Sequence, residues 1–477
     1  MTWKKIRFGT DGWRGIIADD FTYANVSLAA AAIARYMDET YSKEKPALIS
    51  YDARFLADQF ARKAAEVINS FGREVLIVDR DTPTPVIAHA AKDLKSAGAL
   101  QFTASHNPPE YCGIKYIPDY AGPANEKITA RISDFVKEMG ESGWEFISDT
   151  SSKATTQIFS PKEAYCRDLS KLIDLHAINS SRLKIGYDSL CGVGRGYIDQ
   201  LIKCEVVLGI ERDVLFRGMN PEPSADSMCF LISKVKEHQL DLGIANDGDA
   251  DRFGVIGEGG IVFTPNQILI MLVRYLCEER NLAGSVVRTI STTHALDALC
   301  EKLELNLIET PVGFKYVGQA MCEKEVLLGG EESGGLSILG HIPEKDGILA
   351  CLLVCEMLAK TGKSLQVLWQ EAIQLIGFEP AFKRLDLHLP NETKIGIIQG
   401  LKTKPPEKLG RKKVLEVKTG DGVKILLENG DWILVRASGT EPLLRIYAES
   451  KSPEDLRELL EATETFFKIN SALSSVH

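Results

Sequence analysis

The sequence has no long hydrophobic run: its longest apolar stretch, residues 348–355, is eight residues, against the roughly 18 that a bilayer-spanning helix needs. The opening M-T-W-K-K-I-R-F-G-T-D-G carries early lysines but no apolar segment of the signal-peptide kind. No C-x-x-C pair occurs among the ten cysteines, and the nearest two, Cys351 and Cys355, stand at helical i,i+4 spacing on an apolar stretch. That excludes a zinc knuckle or a dithiol redox motif. Positive charge is in deficit: 56 Lys and Arg against 66 Asp and Glu leave a net −10. Such a balance offers no general attraction for nucleic acid or an anionic membrane. Low-complexity segments are missing too. These absences lead us to expect a soluble, cytoplasmic protein with reduced cysteines. Any anionic ligand would have to be held by local arginines and amides.

What is present is 477 residues of ordinary globular composition, 44% hydrophobic and 26% charged, enough for about three domains by length alone. The hydrophobic pattern alternates between strand-like and helix-like segments. Residues 23–39, 56–71 and 85–95 read as helices, and 47–51, 75–78 and 99–103 as strands. That alternation predicts a parallel sheet covered by helices. It restarts after the polar stretch 148–156, with strands at 184–188, 205–209 and 242–245 and a helix at 229–239. A third cycle has helices at 266–279 and 346–360 and a strand at 285–290. The tail differs: short strand-like runs at 383–389, 413–418, 423–427 and 432–436 precede a closing helix at 452–471.

Two glycine-rich stretches resemble nucleotide sites and fail on inspection. G-V-G-R-G at 192–196 has Tyr197 where a dinucleotide fingerprint needs glycine, and the P-loop-like end at Gly362-Lys363-Ser364 would place its first glycine on Met357, inside a helix.

Four other loops carry chemistry. N-D-G-D-A-D-R at 246–252 offers Asp247, Asp249 and Asp251 at alternate positions, a set of hard oxygen ligands delivered to the carboxyl edge of a sheet by the strand before it. An EF-hand is excluded because Arg252 stands where that loop needs glycine, and few protein ligands favour Mg²⁺ over Ca²⁺. T-A-S-H-N-P at 103–108 places Ser105 on a tight turn, as a nucleophile or phosphate carrier, with His106 a candidate base beside it; a capped turn is the plainer alternative. R-A-S-G-T at 436–440 combines the Arg436 guanidinium, the Ser438 and Thr440 hydroxyls and Gly439, a composition suited either to cradling phosphate or to a simple hairpin. G-E-E-S-G-G at 330–335 offers carboxylates that can accept hydrogen bonds from sugar hydroxyls.

Together, in this order and with F-G-T-D-G-W-R-G at 8–15, these loops make the chain resemble the α-D-phosphohexomutase superfamily, the phosphoglucomutases and phosphomannomutases. The resemblance implies an α/β fold with three α/β domains of mixed or parallel sheets (residues 1–150, 151–261 and 262–378) and a smaller C-terminal α+β domain (379–477), set around a central active-site cleft. It implies that Ser105 carries a phosphoryl group, and that Asp247, Asp249, Asp251 and Ser105 hold one Mg²⁺. Arg14 and Arg252 would stabilise the transferring group, and Lys115 would act as general acid and base. Glu331 and Ser333 would bind sugar hydroxyls, with Gly313 and Lys315 of T-P-V-G-F-K helping to orient the substrate. Arg436, Ser438, Gly439 and Thr440 would grip the phosphate that is not reacting. The expected reaction interconverts hexose 1- and 6-phosphates through a hexose 1,6-bisphosphate, with glucose or mannose favoured over glucosamine. Gly335 departs from the histidine frequent in bacterial branches, which leaves the sugar open. A sugar phosphatase and a non-catalytic sugar-phosphate sensor are the rival readings. The expected partners are small hexose phosphates, without nucleic acid or membrane, in a monomer or a dimer.

Overall fold

Each motif loop joins two neighbouring strands of a sheet, and that placement is what the fold contributes to the site. The computed structural model describes residues 2–9, 12–147, 153–437 and 443–474. Its strands form four sheets, three within α/β layers and one antiparallel sheet near the C-terminus. The polar stretch at 148–156 lies mostly outside the described residues.

In the first sheet the strands run Trp13–Ile16, Tyr111–Ile117, Ala99–Phe102, Ala47–Tyr51, Val75–Val78 and Thr156–Phe159. The last four pair in parallel, and Tyr111–Ile117 and Trp13–Ile16 are added by antiparallel pairing. The sheet is therefore mixed, as the fold implied by the resemblance allows, with the parallel part that the alternation points to. A connection as short as residues 103–110 can return the chain only as an antiparallel neighbour, whereas a parallel return needs a crossover of a dozen residues or more. Helices Tyr23–Thr40, Ala57–Ser70 and Thr84–Asp93 supply those crossovers. Tyr23–Thr40 starts where the Thr22 side chain accepts a bond from the Asn25 amide, and its alanine-rich body is buried. Trp13 stacks on Phe21 at 4.7 Å, and Phe21 meets Phe60 edge to face at 4.9 Å, locking the N-terminal strand onto this core.

The second sheet repeats the plan in the order Ile261–Phe263, Phe253–Gly257, Leu242–Asn246, Ile185–Asp188, Val206–Leu208. Leu242–Asn246 is parallel to Ile185–Asp188 and antiparallel to Phe253–Gly257, so the aspartate loop is again the connection at which the direction reverses. In the third sheet Val326–Gly330 is parallel to Ser285–Thr289 and antiparallel to Leu336–Ile338, with the G-E-E-S-G-G loop between. Helix Gly347–Thr361 is apolar on nearly every face because it is buried along almost its whole length, and it ends at Gly362 with φ 65°.

The chain divides into two compact units, Met1–Arg288 with Leu305–Trp369, and Thr289–Glu304 with Gln370–His477. The second is built on an antiparallel sheet of six strands from Ala381–His388 to Lys408–Leu409. Leu401, Leu456 and Leu459 pack on one of its core clusters. A second cluster joins Trp432, Leu434 and Tyr447 with Ile290, which arrives from the separate segment. That segment is fastened by polar bonds as well. Lys424 Nζ donates to Ile290 O at 2.5 Å and lies 2.7 Å from His294 Nε2. Glu449 Oε1 accepts from the His294 amide at 2.8 Å and from Trp432 Nε1 at 3.1 Å. Helix Ala295–Lys302 follows directly. Among the described residues no helix is long and apolar enough to cross a membrane.

Candidate active site

Ser105 is 2% exposed and sits at φ 52°, a left-handed conformation that a non-glycine residue adopts only when its surroundings impose it. Its amide donates to Thr103 Oγ1 at 2.8 Å, and its hydroxyl donates to Asp247 Oδ2 at 3.0 Å, a contact 142 residues away in sequence. His106 Nδ1 approaches the same hydroxyl at 3.4 Å. The aspartate loop presses against this turn so closely that a Cβ on Gly248 would lie 2.7 Å from Ser105 O, which explains the glycine between Asp247 and Asp249.

The three aspartates are fully buried, and each offers one oxygen within 4.8 Å of the others. Lys115 comes from strand Tyr111–Ile117, which the sequence pattern does not show as a strand, and its ammonium bonds Asp249 Oδ2 at 2.8 Å and Asp251 Oδ2 at 2.9 Å. Thr84 Oγ1 adds a bond to Asp249 Oδ2 at 2.7 Å, and the Arg252 amide donates to Asp247 Oδ1 at 2.9 Å. Asp249 Oδ1 and Asp251 Oδ1 remain buried with no hydrogen-bond partner, and so does Arg252 Nε. Buried oxygens left in that state are costly unless a cation meets them. The donor set, carboxylate oxygens beside a hydroxyl, suits a hard divalent ion such as Mg²⁺.

Electrostatics separate the carboxylates. Burial, then its neighbours Asp249 and Asp251, pushes Asp247 well above the usual carboxylate range. Burial acts on Asp251 in the same sense, but Lys115, Lys345 and Arg252 overcome it and hold that group well below. His106 is driven well below its ordinary value by burial and by Arg252, Arg14, Lys345 and Lys115, so it stays neutral at physiological pH.

The other residues singled out in the sequence divide between those that join this cluster and those that do not. Arg14 Nη1 donates to Asn107 Oδ1 at 2.5 Å, on the serine loop, and Arg252 Nη1 pairs with Glu222 at 3.1 Å. Glu331 is buried and pushed up to about 7, by burial first, and its Oε1 accepts from the Gly313 amide at 3.1 Å. Ser333 lies half-buried on the same turn. Lys315 is engaged elsewhere, bonding Glu126 Oε1 at 3.1 Å. Arg436 belongs to the second compact unit, where its Nε donates to Asp421 Oδ1 at 2.7 Å. Ser438, Gly439 and Thr440 lie outside the described residues, as do Thr10 and Asp11 of the opening motif.

Two residues escaped the sequence reading. Lys345 Nζ lies 3.3 Å from Asp251 Oδ2, and its stem fills the place a side chain at Gly335 would take, since a Cβ there would lie 2.5 Å from Lys345 Cδ. The glycine that departs from the bacterial histidine is thus the space a lysine occupies. Arg54 is wholly buried beneath the serine loop and bonds its carbonyls. The available signal was positional: Asp52 and Arg54 directly follow strand Ala47–Tyr51 at the carboxyl edge where ligands bind.

Comparison with known proteins agrees with this architecture. Models of the phosphoglucomutase/phosphomannomutase alpha/beta/alpha domains I, II and III match residues 5–142, 163–260 and 264–376. The model of the family's C-terminal domain matches 398–465. The chain belongs to the phosphoglucomutase/phosphomannomutase family of the α-D-phosphohexomutase superfamily, intramolecular phosphotransferases of the isomerase class. A phosphoglucomutase/phosphomannomutase of Thermococcus kodakarensis is 30% identical over 95% of this chain and 96% of its own length. A phosphoglucosamine/phosphogalactosamine mutase of Sulfurisphaera tokodaii is 29% identical over 93% and 95%. A Thermus thermophilus protein crystallised under the name phosphomannomutase superposes with a TM-score of 0.85 at 33% identity, covering 97% of this chain and 99% of that one.

Proposed function

We propose that this protein interconverts hexose 1-phosphates and hexose 6-phosphates, of glucose and/or mannose, by way of phosphorylated Ser105 and a hexose 1,6-bisphosphate. The observation that supports this best is the pairing of unmet buried groups of opposite sign on one loop, Asp249 Oδ1 and Asp251 Oδ1 beside Arg252 Nε, next to the Ser105 hydroxyl. A site with spare acceptors for a cation and a spare guanidinium donor suits a phosphoryl group and its metal.

In this reading the phosphoryl group leaves Ser105 Oγ for a free sugar hydroxyl. The P–Oγ bond breaks, a P–O bond to the sugar forms, and the proton released by the hydroxyl passes by way of Lys115 to Ser105 Oγ. Arg14 and Arg252 hold the charge of the group in transit. Asp247, Asp249 and Asp251, with phosphorylated Ser105, would hold a Mg²⁺, which would withdraw charge from that group. Glu331 and Ser333 take sugar hydroxyls, with Gly313, whose amide bonds Glu331, and Lys315, once released from Glu126, orienting the substrate. Arg436, Ser438, Gly439 and Thr440 grip the second phosphate. The bisphosphate turns round and returns its other phosphoryl group to Ser105. Small hexose phosphates are the partners and the cytoplasm the place of work. Against a phosphatase the test is product release: free phosphate should form far more slowly than the hexose phosphate isomer. Phosphoglucosamine remains the alternative sugar, and comparing glucose, mannose and glucosamine phosphates in one coupled assay decides it.

The test of the carrier is Ser105→Ala. The variant should melt like the wild type, take up no phosphate by intact-protein mass spectrometry, and lose at least about 10³-fold in turnover, the order seen when a nucleophile is removed. Turnover within tenfold of wild type would sink the reading.

A further inference from the structure

We infer that Arg54 is the positioning residue of the serine loop, fixing the backbone on both sides of Ser105 and so the line along which Oγ meets phosphorus. The inference rests on Ser105 being the phosphoryl carrier.

The guanidinium has five N–H donors, and five bonds account for them. Nη2 donates to Ser105 O at 2.6 Å and Asn107 O at 2.7 Å, and Nη1 to Pro108 O at 2.6 Å and Tyr111 O at 3.0 Å. Nε donates to Asp52 Oδ2 at 3.0 Å. With 0% of its surface exposed, Arg54 keeps nothing for a substrate phosphate. Its whole valence is spent on the loop.

The grip also closes on itself. Asp52 Oδ2 accepts a second bond, from Thr103 Oγ1 at 2.7 Å, and Thr103 Oγ1 in turn accepts the Ser105 amide at 2.8 Å. Arg54 therefore holds the Ser105 carbonyl directly and the Ser105 amide through Asp52 and Thr103. Those two tethers bracket the left-handed φ of 52°. The arginine is held in its own turn from the second α/β domain. Arg212 donates to Ala53 O at 3.0 Å and Arg54 O at 3.1 Å, and the Phe216 ring lies 5.1 Å from the guanidinium carbon. Lysine cannot substitute, because an ammonium has three donors and no planar fork to span four carbonyls.

A small tilt of the attacking oxygen is enough to matter, since a misplacement of about 1 Å can cost about 10²-fold in rate. The experiment compares Arg54→Lys, Thr103→Val and Ser105→Ala with the wild type. It measures the melting temperature, kcat and KM for hexose monophosphate, and the rate at which saturating hexose 1,6-bisphosphate phosphorylates Ser105, followed by intact-protein mass spectrometry. A positioning role predicts that folded Arg54→Lys keeps KM within about threefold while kcat and the phosphorylation rate fall together by about 10²-fold. Thr103→Val removes one tether and leaves the buried charges paired. It should show the same signature at about tenfold, and it decides the matter if Arg54→Lys does not fold. A wild-type phosphorylation rate in a folded variant, whatever its melting temperature, overturns the inference, since support of the fold alone would move stability and leave that rate untouched. Ser105→Ala reads out the premise separately: retained turnover there means the carrier is wrong, whereas lost turnover there with unchanged phosphorylation in the other two means only the role of Arg54 is wrong.

Discussion

The loop after Ala99–Phe102 and the loop after Leu242–Asn246 both turn at a non-glycine residue in left-handed conformation, Ser105 at φ 52° and Ala250 at φ 58°, and both are buried. They settle their polar groups in opposite ways. The serine loop is held by a foreign cation whose donors are all used, so its geometry is complete before any ligand arrives. The aspartate loop gathers three carboxylates and leaves two oxygens unmet, with Lys115 and Lys345 offsetting part of the charge. On the proposed function, one loop serves direction and the other affinity. The two demands are met by different residues, so they can be altered one at a time.

The largest effect should come from breaking the aspartate side. Asp249→Asn removes one unit of ligand charge from an oxygen set that lacks partners. Because supporting groups around a metal are by themselves worth about 10- to 100-fold in affinity, the Mg²⁺ concentration for half-maximal turnover should rise by at least about 10²-fold. Phosphorylation geometry on the serine side should be spared. An unchanged Mg²⁺ titration, by activity and by thermal shift, would remove this loop as the metal site.

A smaller effect lies in the pH profile. Burial holds Glu331 at about 7, so its carboxylate is ionised and a strong acceptor above that pH and becomes protonated as the pH falls through it. kcat/KM should therefore drop by up to about tenfold from pH 8 to pH 6, and Glu331→Gln should flatten that limb. A limb that survives in the variant assigns it to another group.

The smallest expected change sharpens the comparison most. Gly335→Ala puts a Cβ where Lys345 Cδ now lies, at 2.5 Å, and should turn the lysine away from Asp251. Loss of one long charged contact should cost about threefold to tenfold in turnover, while Ser105 keeps its place. A comparable loss in Lys345→Met, with no further loss in the double variant, would tie the effect to that ammonium; additive losses would not.

Much of the site was legible because its loops are local. A hairpin connection compresses a strand, a turn and its polar residues into a few positions, so D-G-D-A-D-R and T-A-S-H-N-P could be read without knowing what they face. Their partners were not legible by the same route. Arg54 acts on carbonyls 51 to 57 residues further on, and nothing in D-A-R-F announces a fork aimed at backbone. Lys345 lies in E-K-D before an apolar helix and reads as a capping segment. Strand Tyr111–Ile117 is hard to read in the sequence because Gly113 and Lys115 interrupt its apolar pattern. The lysine is buried there because two aspartates from another sheet neutralise it. Alternation by itself reveals the crossovers and not the hairpins, so the antiparallel part of each sheet was legible only through the family resemblance.

The unit assembled from Thr289–Glu304 and the C-terminal residues has a consequence for how the protein is made. His294 leaves the ribosome 130 residues before Lys424 and 155 before Glu449. At roughly 5–20 residues per second, the segment waits about 6 to 30 s for the groups that bury it. During that interval Ile290 has no sheet to lie on. A nascent chain paused in this window offers an apolar segment to chaperones, and translation speed between residues 294 and 449 becomes a determinant of yield.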